Sequence, residues 1–189
     1  MPIESTGNLI GMLLPERSLP DADGVMVPLR GAEAKATLVA FVCNHCPYVK
    51  HVETAFGQVA ARHEPAGLRT VVVVSSDVDA YPDDDVPGIR AQIERAGWDF
   101  PYLIDSDQSL ALELGAVCTP DFFLFDAGFE LVYRGAFDAS SPKNGNPVTG
   151  DLLEGAIISA LAGTAVPLPH RPAMGCGIKW LPGNEPEAH

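Results

Sequence analysis

The sequence has no long apolar run: no stretch approaches the ~20 consecutive apolar residues that a membrane-spanning helix requires. Basic residues are also scarce, with 12 Lys and Arg against 25 Asp and Glu and a formal net charge of −13. A strongly acidic protein is repelled by nucleic acid and by anionic lipid surfaces. We therefore expect no nucleic acid and no membrane among the partners of this protein.

The N-terminal residues 1–8 lack the basic start and the apolar block of a secretory signal peptide. This favours a cytoplasmic location, where stable structural disulfides are rare. The chain has only 4 cysteines. In that compartment we expect them to be catalytic, metal-bound or simply buried rather than paired in structural bridges.

Length and composition indicate one soluble domain. The chain has 189 residues, of which 47% are hydrophobic and 20% charged, enough for a substantial core. Residues 164–189 contain five prolines, and proline disfavours helices and central strands. We predict a domain over residues 1–163 and an extended tail over 164–189 that packs on its surface.

Hydrophobic patterning predicts an α/β fold. Two fully apolar β-runs, 37–42 and 69–75, flank a helix at 47–63, which makes a right-handed βαβ unit. The other predicted elements are an N-terminal hairpin at 19–29, helices at 87–97 and 108–114, a strand at 101–104, a hairpin at 122–134, and a helix at 151–161 capped by Thr149 or Asp151. This order predicts a central mixed β-sheet between layers of helices.

The tetrad Cys43-Asn44-His45-Cys46 stands at the junction between the first apolar strand and the first helix. A helix start offers free backbone N–H groups and a partial positive charge, both of which favour a thiolate. Two thiols three positions apart can close a disulfide and open it again, so we predict a redox pair. We assign Cys43 as the exposed nucleophile and Cys46 as the resolving thiol.

Two other interpretations of the pair remain open. A structural zinc ion needs four ligands, and the remaining cysteines are isolated, so the fold would have to gather Cys118, Cys176 or His51. The pair could also be inert core thiols. For His45 we weigh the stabilisation of a neighbouring thiolate against a solvated surface position.

Five further residues are candidates for the site. Thr119-Pro120 precedes the strand at 122–125, and Cys118 stands just before it as either a third redox thiol or a small buried side chain. Cys176 lies between two glycines in the tail and could reach back to Cys118 or to the tetrad. Arg134 could face the site or form a surface ion pair.

An acidic loop follows the second apolar strand. It contains Asp77, Asp79, Asp83, Asp84 and Asp85 but lacks the spacing and the distal Glu of a calcium-binding loop. We therefore interpret these aspartates as a solvated surface and predict no metal among the site residues.

Five segments together resemble a known family: 43–51 (CNHCPYVKH), 115–126 (GAVCTPDFFLFD), 132–135 (VYRG), 144–150 (NGNPVTG) and 175–180 (GCGIKW). They are similar to the peroxiredoxin-like, alkyl hydroperoxide reductase/thiol-specific antioxidant (AhpC/TSA, redoxin-domain) subgroup of the thioredoxin superfamily. The resemblance implies a thioredoxin-like, three-layer α/β/α fold with Cys43 and Cys46 as the redox pair. It also implies that Pro120 is a cis proline, lying against the dithiol and offering its backbone and that of Thr119 to an extended substrate.

One departure from the family pattern bears on the reaction. Peroxiredoxins have a threonine three positions before the reactive cysteine, and here that position is Ala40. We therefore predict a thiol-disulfide oxidoreductase with an antioxidant or redox-homeostasis role, and keep a thiol-dependent peroxidase and a metal-binding dithiol module as alternatives. The expected partners are protein or small-molecule disulfides and a thioredoxin-type electron donor; we also consider a homodimer. No organic cofactor is expected, because the two sulfurs carry both electrons.

Overall fold

The computed structural model describes residues 2–7 and 9–186. In chain order its strands are β1 (Ile3–Glu4), β2 (Ser18–Pro20), β3 (Met26–Pro28), β4 (Ala36–Phe41), β5 (Leu68–Val74), β6 (Tyr102–Ile104), β7 (Cys118–Thr119), β8 (Asp121–Phe125), β9 (Leu131–Gly135) and β10 (Met174–Gly177). The helices are α1 (Pro47–His63), α2 (Val86–Ala96), α3 (Ser109–Leu114) and α4 (Asp151–Leu161), with 3₁₀ turns at Glu64–Ala66 and Pro82–Asp84.

The central sheet is mixed and has the strand order β6-β5-β4-β8-β9. Strands β4, β5 and β6 run parallel, whereas β8 and β9 pair antiparallel. The predicted N-terminal hairpin forms from β2 and β3. Among the described residues, no helix is long and apolar enough to cross a membrane.

Alternate residues of the central strand β4 face opposite layers of the core. Leu38 and Ala40 pack into the cluster that contains the buried faces of α1, α2 and α4. Val39 and Phe41 pack into a second cluster with α3. All six residues of β4 are buried, as expected for a strand covered on both faces. The predicted three-layer α/β/α fold is therefore confirmed.

Helix α1 has the bounds that the apolar stripe predicts. Pro47 occupies its first position, where a missing N–H is no loss, and Arg62 and His63 lie in the last turn near the negative end of the helix dipole. The predicted cap of α4 was wrong. Gly150 is the N-cap, and the Asp138 carboxylate accepts the backbone N–H groups of Thr149 and Gly150 instead.

The tail does more than run over the surface. Its residues 174–177 form β10, the middle strand of a three-stranded sheet between β1 and β7. Cys176 pairs with Thr119, and Gly177 pairs with Cys118. Prolines stand on both sides of β10 but not within it, so the ladder keeps its N–H donors. A Cβ on Gly175 would lie 1.8 Å from the Thr119 carbonyl oxygen, so only glycine permits this approach.

Arg134 neither faces the two sulfurs nor forms a surface ion pair, which were the two alternatives for it in the sequence. Its guanidinium is buried and pairs with the buried Asp121 carboxylate at 2.9 Å, stacks over Phe123, and donates to the carbonyls of Thr6 and Gly115. It has no contact with Cys43 or Cys46 among its hydrogen bonds. Arg134 therefore ties β8, β9 and the N-terminal segment together and is not a site residue.

The carboxyl group of Asp121 has a raised pKa. Burial raises its pKa to about 6, although Arg134 lowers it in part. Its Oδ2 accepts from Arg134, whereas Oδ1 has no partner within the described residues. Because the folded state holds this proton more tightly than the unfolded chain, Asp121 makes folding stability fall as pH rises between ~4 and about 6.

Replacing Arg134 by Met should destabilise the fold strongly, because it leaves the Asp121 carboxylate buried without a partner. Removal of one member of a buried pair costs ~3–5 kcal/mol. The matched control is Arg90→Met, since Arg90 pairs with Asp23 at the exposed surface and such pairs contribute ~0–1 kcal/mol. Urea unfolding of both variants measures the difference; equal losses would contradict a structural role for Arg134.

Candidate functional site

The tetrad lies where β4 ends and α1 begins, at the carboxyl end of the parallel strands. Crevices at this end of a sheet are where α/β proteins bind ligands. Cys46 is the N-cap of α1, and Cys43 follows the last strand residues in a tight connection. Both are buried, with Cys43 3% and Cys46 0% exposed. The expectation of an exposed Cys43 was wrong, because Thr119 and the Asp84 loop pack against the connection.

The two sulfurs are close enough to share a hydrogen bond, and both thiols are free. Thr119 contacts both of them: its Oγ1 lies 3.2 Å from Cys43 Sγ, and its carbonyl oxygen accepts from Cys46 Sγ–H at 3.2 Å while that thiol is protonated. The Thr119–Pro120 peptide bond is cis, as the resemblance implied. The structure therefore brings together the four residues Cys43, Cys46, Thr119 and Pro120.

The electrostatics of the pair place the first negative charge on Cys46. Hydrogen bonding by Cys43 lowers the pKa of Cys46 to about 5 against the effect of burial, with further help from Cys176 and from the backbone N–H of Val49 in the first turn of α1. The pKa of Cys43 is raised, because its thiol donates to Cys46, is buried, and lies near the Asp84 carboxylate. The pair thus loses one proton readily and holds the other tightly.

Asp84 is a site residue that the sequence interpretation missed. Its carboxylate is fully buried, not solvated, and accepts the backbone N–H groups of Asn44 at 2.8 Å and His45 at 3.2 Å. It also contacts His45 Nδ1 at 2.7 Å. Burial would raise its pKa, but the hydrogen bonds from His45 and Ser76 outweigh this, and the net pKa is lowered.

Asp84 fixes the position of His45 beside the sulfur. The other ring nitrogen, Nε2, lies 3.9 Å from Cys43 Sγ. The ring stacks on Tyr81 at a centroid distance of 5.6 Å, and the Lys179 ammonium lies 5.3 Å from the other ring of this stack, that of Tyr81. His45 is therefore a partly buried member of the site and not a solvated surface residue.

Asn44 points away from the sulfurs and supports the backbone of the tetrad. Its amide donates to the Asp83 carbonyl at 2.8 Å and accepts from Arg95 at 2.9 Å. Arg95 in turn forms a two-pronged pair with Glu53 on α1, which raises the arginine pKa. Asn44 thereby links the tetrad to α1 and α2 but has no contact with the sulfurs among its hydrogen bonds.

The tail contributes a third thiol to the site. Cys176, half-buried on β10, lies close enough to Cys46 to lower the pKa of that thiol. Burial and the proximity of Cys46 raise the pKa of Cys176 to about 12. Cys118 is different: it is fully buried, its sulfur faces the Ala173 carbonyl at 4.0 Å, and burial raises its pKa well above the ordinary value.

Cys43, His45 and Asp84 place one potential metal-ligating atom each within 4.8 Å of one another. His45 Nδ1 is already engaged by Asp84, so a metal ion here would bind Cys43 Sγ and His45 Nε2, with Asp84 orienting the ring from behind. Thiolate and imidazole suit Zn²⁺ or Cu(I). The residues thus offer a partial soft-metal site that competes with the redox use of Cys43.

A cleft of about 260 Å³ opens beside Pro120. Tyr48 and His51 of α1 form one wall, and the segment around Phe137 and the tail around Pro172 form the others. His51 Nε2 contacts Ser140 Oγ at 3.0 Å and lies away from the sulfurs. Pro120 is where this cleft meets the site, since Cys43 and Cys46 do not line it.

Comparisons with known proteins now bear on this arrangement. The model of the AhpC/TSA family matches residues 10–134. No curated protein matches the chain. Two solved structures resemble it along nearly their whole lengths, each with a TM-score of 0.92 and 39% identity. A hypothetical protein from Sinorhizobium meliloti 1021 covers 95% of this chain and is itself 99% covered, and an uncharacterized conserved protein from Geobacillus kaustophilus covers 97% and is 98% covered.

A more distant likeness identifies the fold. A secreted Mycobacterium tuberculosis disulfide oxidoreductase homologous to E. coli DsbE has a TM-score of 0.59 and 17% identity, with 76% of this chain and 96% of that one covered. At that identity the likeness concerns the fold alone. The chain has a thioredoxin-like fold, and it belongs to the AhpC/TSA family.

Proposed function

We propose that the protein is a thiol-disulfide oxidoreductase that uses Cys43 and Cys46 as its dithiol/disulfide couple. The observation that carries the proposal is the pair of hydrogen-bonded free thiols at the start of α1, in contact with Thr119 and beside the cleft at Pro120. A thiolate at a helix N-terminus is the reactive species in such exchange. Family membership supports redox chemistry in general.

Cys46 holds the first negative charge but is fully buried, so the substrate meets Cys43. The proton that the sulfurs share moves from Cys43 to Cys46 along their hydrogen bond. Thr119 Oγ1–H, at 3.2 Å, then donates to the Cys43 thiolate. The Cys43 thiolate attacks one sulfur of the substrate disulfide, and a mixed disulfide forms as the substrate S–S bond breaks.

The second half-reaction uses Cys46. The departing substrate thiolate takes the Cys46 proton, and the Cys46 thiolate attacks Cys43 Sγ. The Cys43–Cys46 bond forms, the mixed disulfide breaks, and the second substrate thiolate leaves and takes a proton from water. A dithiol donor restores the pair by the reverse exchange. No organic cofactor takes part, because the sulfurs carry both electrons.

One observation favours a second candidate, a thiol peroxidase. Thr119 supplies a hydroxyl in place of the one that Ala40 lacks, because its Oγ1 lies 3.2 Å from Cys43 Sγ. The buried Arg134 is committed to Asp121 and gives no positive charge to the sulfurs. We therefore expect slow peroxide consumption, close to that of an ordinary thiol, in a stopped-flow assay with hydrogen peroxide.

Cys43→Ser should abolish reduction of insulin disulfides, because the sulfur that meets the substrate is gone. Cys46→Ser should attack once and then stop at the mixed disulfide, since no resolving thiol remains. Turnover by the insulin precipitation assay and the mass of the trapped adduct measure the two effects. Undiminished turnover in Cys43→Ser would contradict the proposed nucleophile.

The reduced protein should titrate a thiolate at low pH. The pKa of about 5 at Cys46 implies that thiolate absorbance at 240 nm is present above this pH and disappears below it. Cys43→Ala removes the main donor to that sulfur, so the midpoint should move toward the ordinary value of ~8.5. Cys118→Ala is the control, because burial keeps that thiol protonated across this range. A wild-type midpoint near ~8.5 would contradict the proposed charge distribution.

Asp84→Asn should destabilise the protein, because the carboxylate accepts charge-assisted hydrogen bonds from Asn44 and His45. We expect a loss of ~2 kcal/mol, since hydrogen bonds to charged groups contribute ~1.5–3 kcal/mol. The native pKa of Asp84 is lowered, so its contribution is fully present above ~pH 4 and shrinks as the pH falls below that.

The control for this variant is Asp83→Asn, because Asp83 is exposed and uses its backbone carbonyl, not its carboxylate, to hold Asn44. A surface change of this kind should stay within ~0.5 kcal/mol. Urea midpoints at neutral and acid pH measure both variants. An Asp84→Asn midpoint that matches Asp83→Asn would show that Asp84 does not hold the tetrad.

A further inference from the structure

The tail strand brings a third thiol to the redox pair, although more than a hundred residues separate them in sequence. Cys46 Sγ lies 3.2 Å from the Thr119 carbonyl oxygen. Cys176 packs against the core cluster that contains Cys43 and Cys46. Its place is set by the pairing of β10 with β7, in which Cys176 lies opposite Thr119. The backbone approach at Gly175, where a Cβ would meet the Thr119 carbonyl oxygen at 1.8 Å, keeps this strand against the site.

The three thiols differ in what can reach them. Cys43 is 3% exposed and Cys46 is 0% exposed, whereas Cys176 is only half-buried. Cys176 lies close enough to Cys46 to lower the pKa of that thiol. Cys46 is the least accessible of the three sulfurs, and Cys176 is the most accessible.

We propose that Cys176 is a third exchange thiol, which attacks the Cys43–Cys46 disulfide and forms a new disulfide with Cys46. This inference rests on the proposed oxidoreductase function and deepens it. The Cys176 thiolate attacks Cys46 Sγ in the Cys43–Cys46 disulfide. The Cys46–Cys176 bond forms, the Cys43–Cys46 bond breaks, and Cys43 leaves as a thiolate that takes up the proton released by Cys176.

The step is an isomerisation and needs no outside oxidant or reductant, since one disulfide and one thiol stand on each side. The step returns Cys43 to the thiol form for the next substrate, while the disulfide is held between Cys46 and Cys176. An external dithiol then attacks the more accessible sulfur, Cys176. Lys179, three residues further along the tail, lowers the pKa of Cys176 by its positive charge, against the larger effects of burial and of Cys46. Substrate and electron donor thus meet different sulfurs.

The decisive variant is Cys43→Ser, which leaves Cys46 and Cys176 as the thiols in contact. Reduced protein is treated with oxidised glutathione, quenched by acid and alkylation, digested without reductant, and mapped by mass spectrometry. We expect a Cys46–Cys176 disulfide in Cys43→Ser, formed when Cys46 displaces glutathione from the more accessible Cys176, and its loss in Cys43→Ser/Cys176→Ser, where the buried Cys46 should remain a free thiol. Cys43→Ser/Cys118→Ala should give the same linkage as Cys43→Ser, because Cys118 has no hydrogen bond to either thiol.

A glutathione adduct left on Cys176 in Cys43→Ser with Cys46 still a free thiol, or a Cys46–Cys118 linkage, would overturn the role of Cys176. A second measurement uses Cys176→Ser with the pair intact. Its reoxidation by substrate should proceed normally, whereas turnover driven by dithiothreitol should fall. Unchanged turnover would remove Cys176 from the cycle while leaving the oxidoreductase proposal in place. Failure of the wild type to form any Cys43–Cys46 disulfide would instead defeat the oxidoreductase proposal itself.

Discussion

A proton shared between Cys43 and Cys46 is the interaction on which the site depends. Two buried thiols cannot both ionise, because the first negative charge raises the cost of the second in a medium that screens it poorly. The charge settles on the sulfur with most donors, which is Cys46. The other sulfur, Cys43, remains protonated. The negative charge of the pair therefore stays on the buried Cys46 until a proton moves from Cys43 to Cys46.

Much of the surrounding structure serves to hold that pair in place. The carbonyl and hydroxyl of Thr119 contact one sulfur each, and the Asp84 carboxylate holds the two backbone N–H groups of the connection between the sulfurs. Buried polar groups of this kind are stable only when their partners are present. The site therefore has little freedom to rearrange. We attribute its reactivity to the proton transfer between Cys43 and Cys46 and not to loop motion.

Local patterns predicted the fold well, because strands and helices here carry strong periodic signals. Helix α1 and helix α4 have the predicted bounds, and the alternating burial of β4 follows from its apolar run. The tetrad was also found from sequence, since its two thiols are adjacent in the chain, whereas the place of Pro120 followed from the family resemblance. Asp84, in contrast, stands about forty positions from His45 among other aspartates, and no local pattern separates the one buried carboxylate from its solvated neighbours.

The tail shows why long-range pairing escapes sequence reasoning. Proline correctly marks residues 164–189 as unfit for helix, yet the proline-free residues 174–177 are free to donate to a neighbouring strand. Only the close contact of Gly175 with Thr119 determines which strand that is. This contact has two consequences at once: it closes the fold over the dithiol, and it brings a third sulfur close to Cys46. The tail, which its prolines predict to be a surface segment, therefore forms part of the wall of the site. Its glycines matter for the arrangement of the sulfurs as well as for the fold.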